Sequence, residues 1–136
     1  MSKLVSLFEL ALKARDNAYA PYSGFKVGAA LLSKDGRVYT GCTIENAAYT
    51  PTNCAERTAF FKAVSEGVRE FSAIAIVGGR DEKPADFCAP CGICRQVMAE
   101  FCEEDFRILL GTEENFRAHT LSELLPYSFG KKDVTL

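Results

Sequence analysis

Two short fragments, CAER at 54–57 and PCGIC at 90–94, set three cysteines where two helices would begin. Each fragment follows a strand and opens a helical run, so a fold that satisfies both must bring two helix starts to one point. Backbone N–H groups at a helix start are unpaired, and the macrodipole places roughly +0.5 charge there. Thiolates are favoured at such ends, where cysteine pKa values fall below the free value of ~8.5. Cys54, Cys91 and Cys94 would together give a tetrahedral Zn2+ three protein ligands and leave one position for water. That is the pattern of a catalytic site, not a closed structural one. Glu56, two residues after Cys54, is spaced to reach that water and not the metal.

Plainer readings stand beside this one. Cys54 alone could be a buried core thiol. Cys91 and Cys94 could be a redox pair of the Cys-x-x-Cys kind. A structural zinc wants a fourth protein ligand, and Cys88 is the candidate to supply it. Against it stand Ala89-Pro90 and the helix start that follows. Cys42, Cys88 and Cys102 are read as ordinary thiols, and His119 as exposed on an edge strand. Three thiolates and Zn2+ sum to −1, which makes a bound water harder to ionise. Arg57 is the natural compensator if it donates hydrogen bonds to the sulfurs.

Composition narrows the setting. Six cysteines could suggest disulfides, but the N-terminal stretch lacks a basic leader followed by an apolar run and a small-residue cleavage site. No segment approaches the ~20 apolar residues that span a bilayer. A reducing cytoplasm is expected, where such spacing reads as metal or redox chemistry. A chain of 136 residues is read as one domain, 1–136, able to bury a single core. A net charge of −2 and no dense Lys/Arg run interleaved with aromatics argue against nucleic acid as a partner.

Apolar residues from Leu4 to Ala18 recur at three- and four-residue spacing, predicting a helix over about 3–18 that ends at Pro21, Ser23 and Gly24. KVGAALLS and RVYTGC read as a hairpin across Lys34-Asp35-Gly36. Thr52 or Asn53 would cap a helix over about 54–66, with Gly67 as its stop. FSAIAIVG is nearly continuously apolar, as in a central strand covered on both faces. GRDEKPADF is a charged loop, expected to be mobile. A helix follows over about 90–103, then the strands FRILL and NFRAH. Thr120 and Glu123 form a capping box for a short last helix stopped by Pro126. Helices alternating with five strands predict an α/β fold, a three-layer α/β/α sandwich on a mixed five-stranded sheet.

The motifs carry a resemblance. FKVGAALL (25–32), IENAAY (44–49), CAERTAFFKAVSEG (54–67), PCGICRQV (90–97) and ELLPYSFG (123–130) resemble free-nucleoside cytidine deaminases, in that family's order. The likeness extends from YAPYS at 19–23 almost to the C-terminus. The first ligand being Cys54, the chain is similar to the three-cysteine branch of the zinc deaminases, in which a glutamate that is not a ligand acts as acid and base. The resemblance implies one Zn2+ per subunit on Cys54, Cys91 and Cys94, with Glu56 catalytic. It implies Phe25 lining the base pocket, the Ala47 N–H on the pyrimidine carbonyl, and the Ala55 carbonyl facing the exocyclic amine. Glu45 would hold the ribose. Thr43 stands where the family has asparagine, so its sugar contact would need a bridging water or a different sugar. Phe129 matches the phenylalanine that reaches a neighbouring subunit's site in homotetrameric members. The implied activity is deamination of cytidine and 2′-deoxycytidine in pyrimidine salvage. Rival readings are a deaminase of another amino-pyrimidine nucleoside or nucleoside antibiotic, a polynucleotide deaminase, and an interaction domain folded around zinc.

Overall fold

Continuous apolar strands need helices on both sides, and the computed structural model, which describes residues 2–84 and 87–134, supplies them. The order is α1 (Ser2–Arg15), β1 (Lys26–Ser33), β2 (Val38–Cys42), α2 (Ala55–Ser65), β3 (Phe71–Gly79), α3 (Gly92–Phe101), β4 (Arg107–Gly111), β5 (Phe116–Thr120), α4 (Leu121–Leu124) and α5 (Lys131–Val134). Five strands form one sheet in the order β2-β1-β3-β4-β5. β1 is antiparallel to both β2 and β3, β3 is parallel to β4, and β4 is antiparallel to β5. The sheet is mixed, as expected.

Side-chain alternation along the strands sorts the core into two layers. Val27, Ala29, Leu31, Ile74, Ile76, Ile108 and Leu110 face α2 and α3, where Phe60, Ala59 and Met98 cover them. Ala30, Leu32, Ala73, Ala75, Val77 and Leu109 face α1, where Leu7, Phe8 and Ala11 cover them. Two glycines let the helices approach closely. A Cβ on Gly28 would come within 2.0 Å of the Ala11 carbonyl oxygen in α1, and one on Gly41 within 2.5 Å of the Ala55 oxygen and Ala59 nitrogen in α2.

The local signals mostly act as their chemistry requires. Gly36 takes φ 93° in the hairpin turn, and its N–H donates to the Ser33 carbonyl at 3.1 Å. Gly67, at φ 90°, lets the Val68 N–H reach back to the Ala63 carbonyl at 3.0 Å and close α2. Both halves of the Thr120–Glu123 capping box are formed.

Four expectations are corrected. α1 ends at Arg15 and not near 18, because the N–H groups of Asp16, Asn17 and Ala18 tighten onto the carbonyls of Lys13, Ala14 and Arg15. Neither Thr52 nor Asn53 caps α2. Cys54 holds that position, while Thr52 accepts from the Asn46 N–H and Asn53 donates to Thr58. His119 lies on the edge strand β5 but is half-buried. The four-residue α5 was not foreseen, being too short to show a period. The expected mobile loop includes residues 85 and 86, which lie outside the described set; on its described part, Arg15 donates to the Gly79 and Asp81 carbonyls.

Candidate metal centre and active site

α2 and α3 start at the same end of the sheet, and a cysteine occupies the N-cap of each. Cys54 and Cys91 take extended backbone angles there, and neither sulfur makes a capping hydrogen bond. Cysteine is a poor cap compared with Ser, Thr, Asp or Asn, so the helix starts give up capping and leave sulfur lone pairs available. Cys94 follows in the first turn of α3 and is buried. Cys54 Sγ lies 3.9 Å from Cys91 Sγ, which lies 3.5 Å from Cys94 Sγ. The three sulfurs all fall within 4.8 Å of one another.

That spacing fits zinc. Sulfurs ~2.3 Å from a tetrahedral ion stand about 3.8 Å apart along each edge, and the two measured separations straddle this value. No other group of His, Cys, Asp or Glu among the described residues is placed to hold a metal. Cys88 is not part of the cluster. Its sulfur packs instead where a Cβ on Gly78 would sit, at 2.7 Å, so β3 and not the metal receives it. Cys102 is mostly buried near the end of α3, and that burial pushes its thiol well above the usual range.

The charges around the sulfurs are uneven. Cys54 is held down to about 5, by a hydrogen bond from Cys94 and then by the Arg57 guanidinium. Cys94 is pushed up, first by its bond to Cys54 and then by burial. A divalent cation on the three sulfurs would displace thiol protons as it bound. Arg57 Nη2 donates to Cys54 Sγ at 3.2 Å, while its buried Nε has no hydrogen-bond partner among the described residues. Glu56, in the first turn of α2, is 4% exposed. Burial, followed by the nearby Cys54 thiolate, raises its carboxyl to about 7.

The remaining residues singled out in the sequence surround this corner. The 43–53 segment is pinned by backbone pairs: Ile44 exchanges both hydrogen bonds with Asn53, and Tyr19 and Glu45 complete the lacing. Within it the Ala48 N–H is satisfied by the Asn46 side chain, but the Ala47 N–H finds no acceptor among the described residues. Glu45 accepts from the Tyr22 N–H at 2.9 Å, the Ser23 N–H at 3.2 Å and the Ser23 hydroxyl. The Ser23 hydroxyl, followed by these amides, lowers the Glu45 carboxyl below its usual range.

Thr43 is buried. Its hydroxyl accepts from the Val27 N–H at 3.1 Å and lies 3.4 Å from the Val27 carbonyl, so β1 already engages it. Ala55 is fully buried and its carbonyl sits against Gly41. Phe25 is half-buried against the α2/α3 side of the core. Phe129 is 62% exposed, while its carbonyl accepts from Gln96 Nε2 of α3 at 2.8 Å. Sequence reasoning missed Ser23, whose hydroxyl and N–H donate to Glu45. Ser23 was read only as a helix breaker, and nothing in its local pattern shows that it folds onto Glu45.

Comparison with known proteins agrees with this geometry. The family model described as "Cytidine and deoxycytidylate deaminase zinc-binding region" matches residues 1–110. A cytidine deaminase of Sporosarcina psychrophila is 54% identical, covering 90% of this chain and 88% of its own. One from Halalkalibacterium halodurans is 53% identical over 94% and 95% of the two chains. A crystal structure of cytidine deaminase from Burkholderia pseudomallei superposes with TM-score 0.83 at 48% identity, covering 91% of this chain and 97% of that one. With its paired helix starts, three-sulfur cluster and buried neighbouring glutamate, this chain belongs to the cytidine and deoxycytidylate deaminase zinc-binding family.

Proposed function

We propose that the protein, acting as a single domain over 1–136, is a zinc-dependent cytidine deaminase. It hydrolyses cytidine and 2′-deoxycytidine to uridine and 2′-deoxyuridine, one water entering and one ammonia leaving. The observation that carries this reading is a carboxyl group, 4% exposed, beside three sulfurs spaced for a tetrahedral ion. A site that used zinc for folding alone would gain nothing from that buried acid.

Cys54, Cys91 and Cys94 would hold the metal. When bound, Zn2+ supplies the Lewis acidity that makes water nucleophilic near neutral pH. Glu56 moves the protons. It accepts one from the water and places it on the ring nitrogen beside the amine-bearing carbon, then takes the second from the hydroxyl added to that carbon and gives it to the departing amine, leaving the ring carbonyl and ammonia. A carboxyl raised by burial toward neutrality both takes and gives protons readily, and such steps contribute about 10²–10⁴-fold. Arg57 and the two helix starts offset the negative charge of three thiolates.

Recognition is assigned as follows. The unpaired Ala47 N–H binds the pyrimidine carbonyl, and Phe25 forms a wall of the base pocket. Glu45 takes the sugar hydroxyls. Because β1 engages the Thr43 hydroxyl, the sugar relies on Glu45 for side-chain contact, and any Thr43 contribution is indirect. The Ala55 carbonyl is turned onto Gly41, so its contact with the exocyclic amine is the weakest of these assignments. Phe129 and Tyr127 present exposed rings on an anchored backbone, as suits a segment that covers another copy of the chain. The assembly proposed is a homotetramer in which Phe129 closes a neighbour's site. Free thiols suit a cytoplasmic enzyme of pyrimidine salvage; among the described residues no helix is long and apolar enough to cross a membrane.

The test is the change in ultraviolet absorbance as cytidine is converted, followed with and without a chelator and with zinc restored. Turnover that persists in metal-free protein would overturn the proposal.

A further inference from the structure

Arg15, the last residue of α1, is 4% exposed, and no carboxylate among the described residues lies within ion-pair distance of it. Its Nε donates to the Lys26 carbonyl at 3.0 Å, and its Nη2 donates to the Gly79 carbonyl at 2.6 Å and to the Asp81 carbonyl. Moving a full charge out of water onto neutral acceptors is costly. A bulky apolar residue would fill the same space without that cost.

The three carbonyls belong to two segments. Lys26 follows Phe25 directly, while Gly79 and Asp81 flank Arg80 on either side. Arg80 lies over the Phe25 ring, its guanidinium carbon 5.7 Å from the centroid, and its Nε donates to the Ser23 carbonyl at 3.4 Å. Ser23 in turn gives its hydroxyl and its N–H to Glu45. Contacts therefore run unbroken from Arg15 to the two side chains proposed above for base and sugar.

We propose that Arg15 is a positioning residue for the nucleoside-binding rim. By gripping the carbonyls on both sides of Arg80 and the one beside Phe25, it holds Arg80 over Phe25. It thereby sets the wall formed by Phe25, Ser23 and Glu45. The inference rests on reading Phe25 and Glu45 as nucleoside contacts. Its rival is a purely structural role, in which a cation simply favours the C-terminal end of α1. Lysine would serve that role equally well. It would not serve the proposed one, since an ammonium is a point charge and cannot reproduce the guanidinium fork.

The experiment uses the zinc-loaded protein and measures cytidine KM and kcat separately, with zinc content and Tm, in Arg15→Met, Arg15→Lys, Arg80→Ala and the double variant Arg15→Met/Arg80→Ala. Misplacement of the rim should raise KM about tenfold in Arg15→Met, with kcat within about twofold and zinc content unchanged. Arg80→Ala should raise KM in the same direction. The double variant should be no worse than Arg15→Met alone, because both changes remove one shared arrangement. Arg15→Lys should recover Tm and leave KM elevated.

A wild-type KM in folded Arg15→Met, or a double variant whose KM rise is the product of the single rises, would overturn the proposal. Should Arg15→Met fail to fold, Arg15→Lys decides: recovery of both Tm and KM refutes positioning, and recovery of Tm alone supports it. Wild-type turnover with unaltered variant KM sinks this inference alone. Absence of wild-type turnover sinks the parent reading, and this one with it.

Discussion

The two faces of the sheet are covered by helices, but they are built from residues of different size and serve different ends. Toward α1 the strands present Ala30, Ala73 and Ala75, and Gly28 lets the α1 backbone settle onto β1. Toward α2 and α3 they present Ile74, Ile76, Ile108 and Leu110. There Phe60 meets Phe71 edge-on at 5.0 Å and stacks near Phe101 at 6.5 Å. Each face uses a glycine for close approach, Gly28 toward α1 and Gly41 toward α2, but most of the core's aromatic rings sit on the second. The second face also carries the metal corner. Phe60 of α2 and Phe101 of α3 join the two helices whose starts must stay in register for three sulfurs to share one ion.

The comparison is tested most severely at the corner itself. Glu56→Gln should retain zinc, measured by metal analysis, and lose about 10²–10⁴-fold or more in kcat. A variant with near-normal turnover would remove the proposed catalytic role. The same face gives the next largest effect: Phe60→Ala should cost about 3–5 kcal/mol of stability by leaving a cavity under α2. Chemical denaturation with parallel zinc analysis should show metal affinity weakening too. Leu7→Ala on the α1 face should cost about 2–5 kcal/mol and leave zinc affinity unchanged in the folded protein. Loss of zinc there would show that the two faces are not independent.

The glycines sharpen the contrast. Gly28→Ala and Gly41→Ala both drive a methyl into helix backbone, and overpacking of this kind costs about 1–3 kcal/mol or more. Gly41→Ala pushes against Ala55, next to Cys54 and Glu56. It should therefore lower kcat in the protein that remains folded, whereas Gly28→Ala, which presses on Ala11 and Arg15, should lower Tm and leave kcat unchanged. The smallest effect lies at the edge of the sheet, where β5 passes into α4. Thr120→Ala removes the cap of α4 and should cost about 1 kcal/mol at neutral pH. The Thr120 N–H and hydroxyl hold the Glu123 carboxyl below its usual value. That part of the stability is present above the unfolded carboxylate pKa of ~4.3 and is lost as pH falls through the lower folded value. The Tm gap between wild type and Thr120→Ala should narrow in acid.

Much of this was readable along the chain because the signals are local. Asp35-Gly36 sets its turn, Gly67 stops its helix, and Thr120 with Glu123 caps another, each through atoms a few residues apart. The metal ligands were readable for a related reason: helix starts favour thiolates wherever they sit. FSAIAIVG announced a strand covered on both faces. That its isoleucines would face α2 and α3 and its alanines α1 was not announced, since both residue types are simply apolar.

Legible along the chain were the order of elements through α4, the three sulfurs with their neighbouring glutamate, and the family to which the chain belongs. These depend on residue type and short spacing. Contacts across the closed fold were needed to show that Cys88 packs on β3, that Val27 engages the Thr43 hydroxyl, and that Arg15 reaches two distant segments around Arg80. Each of those outcomes depends on which backbone groups are left needing a partner once the sheet and helices have closed. That is settled by contacts between residues far apart in the chain.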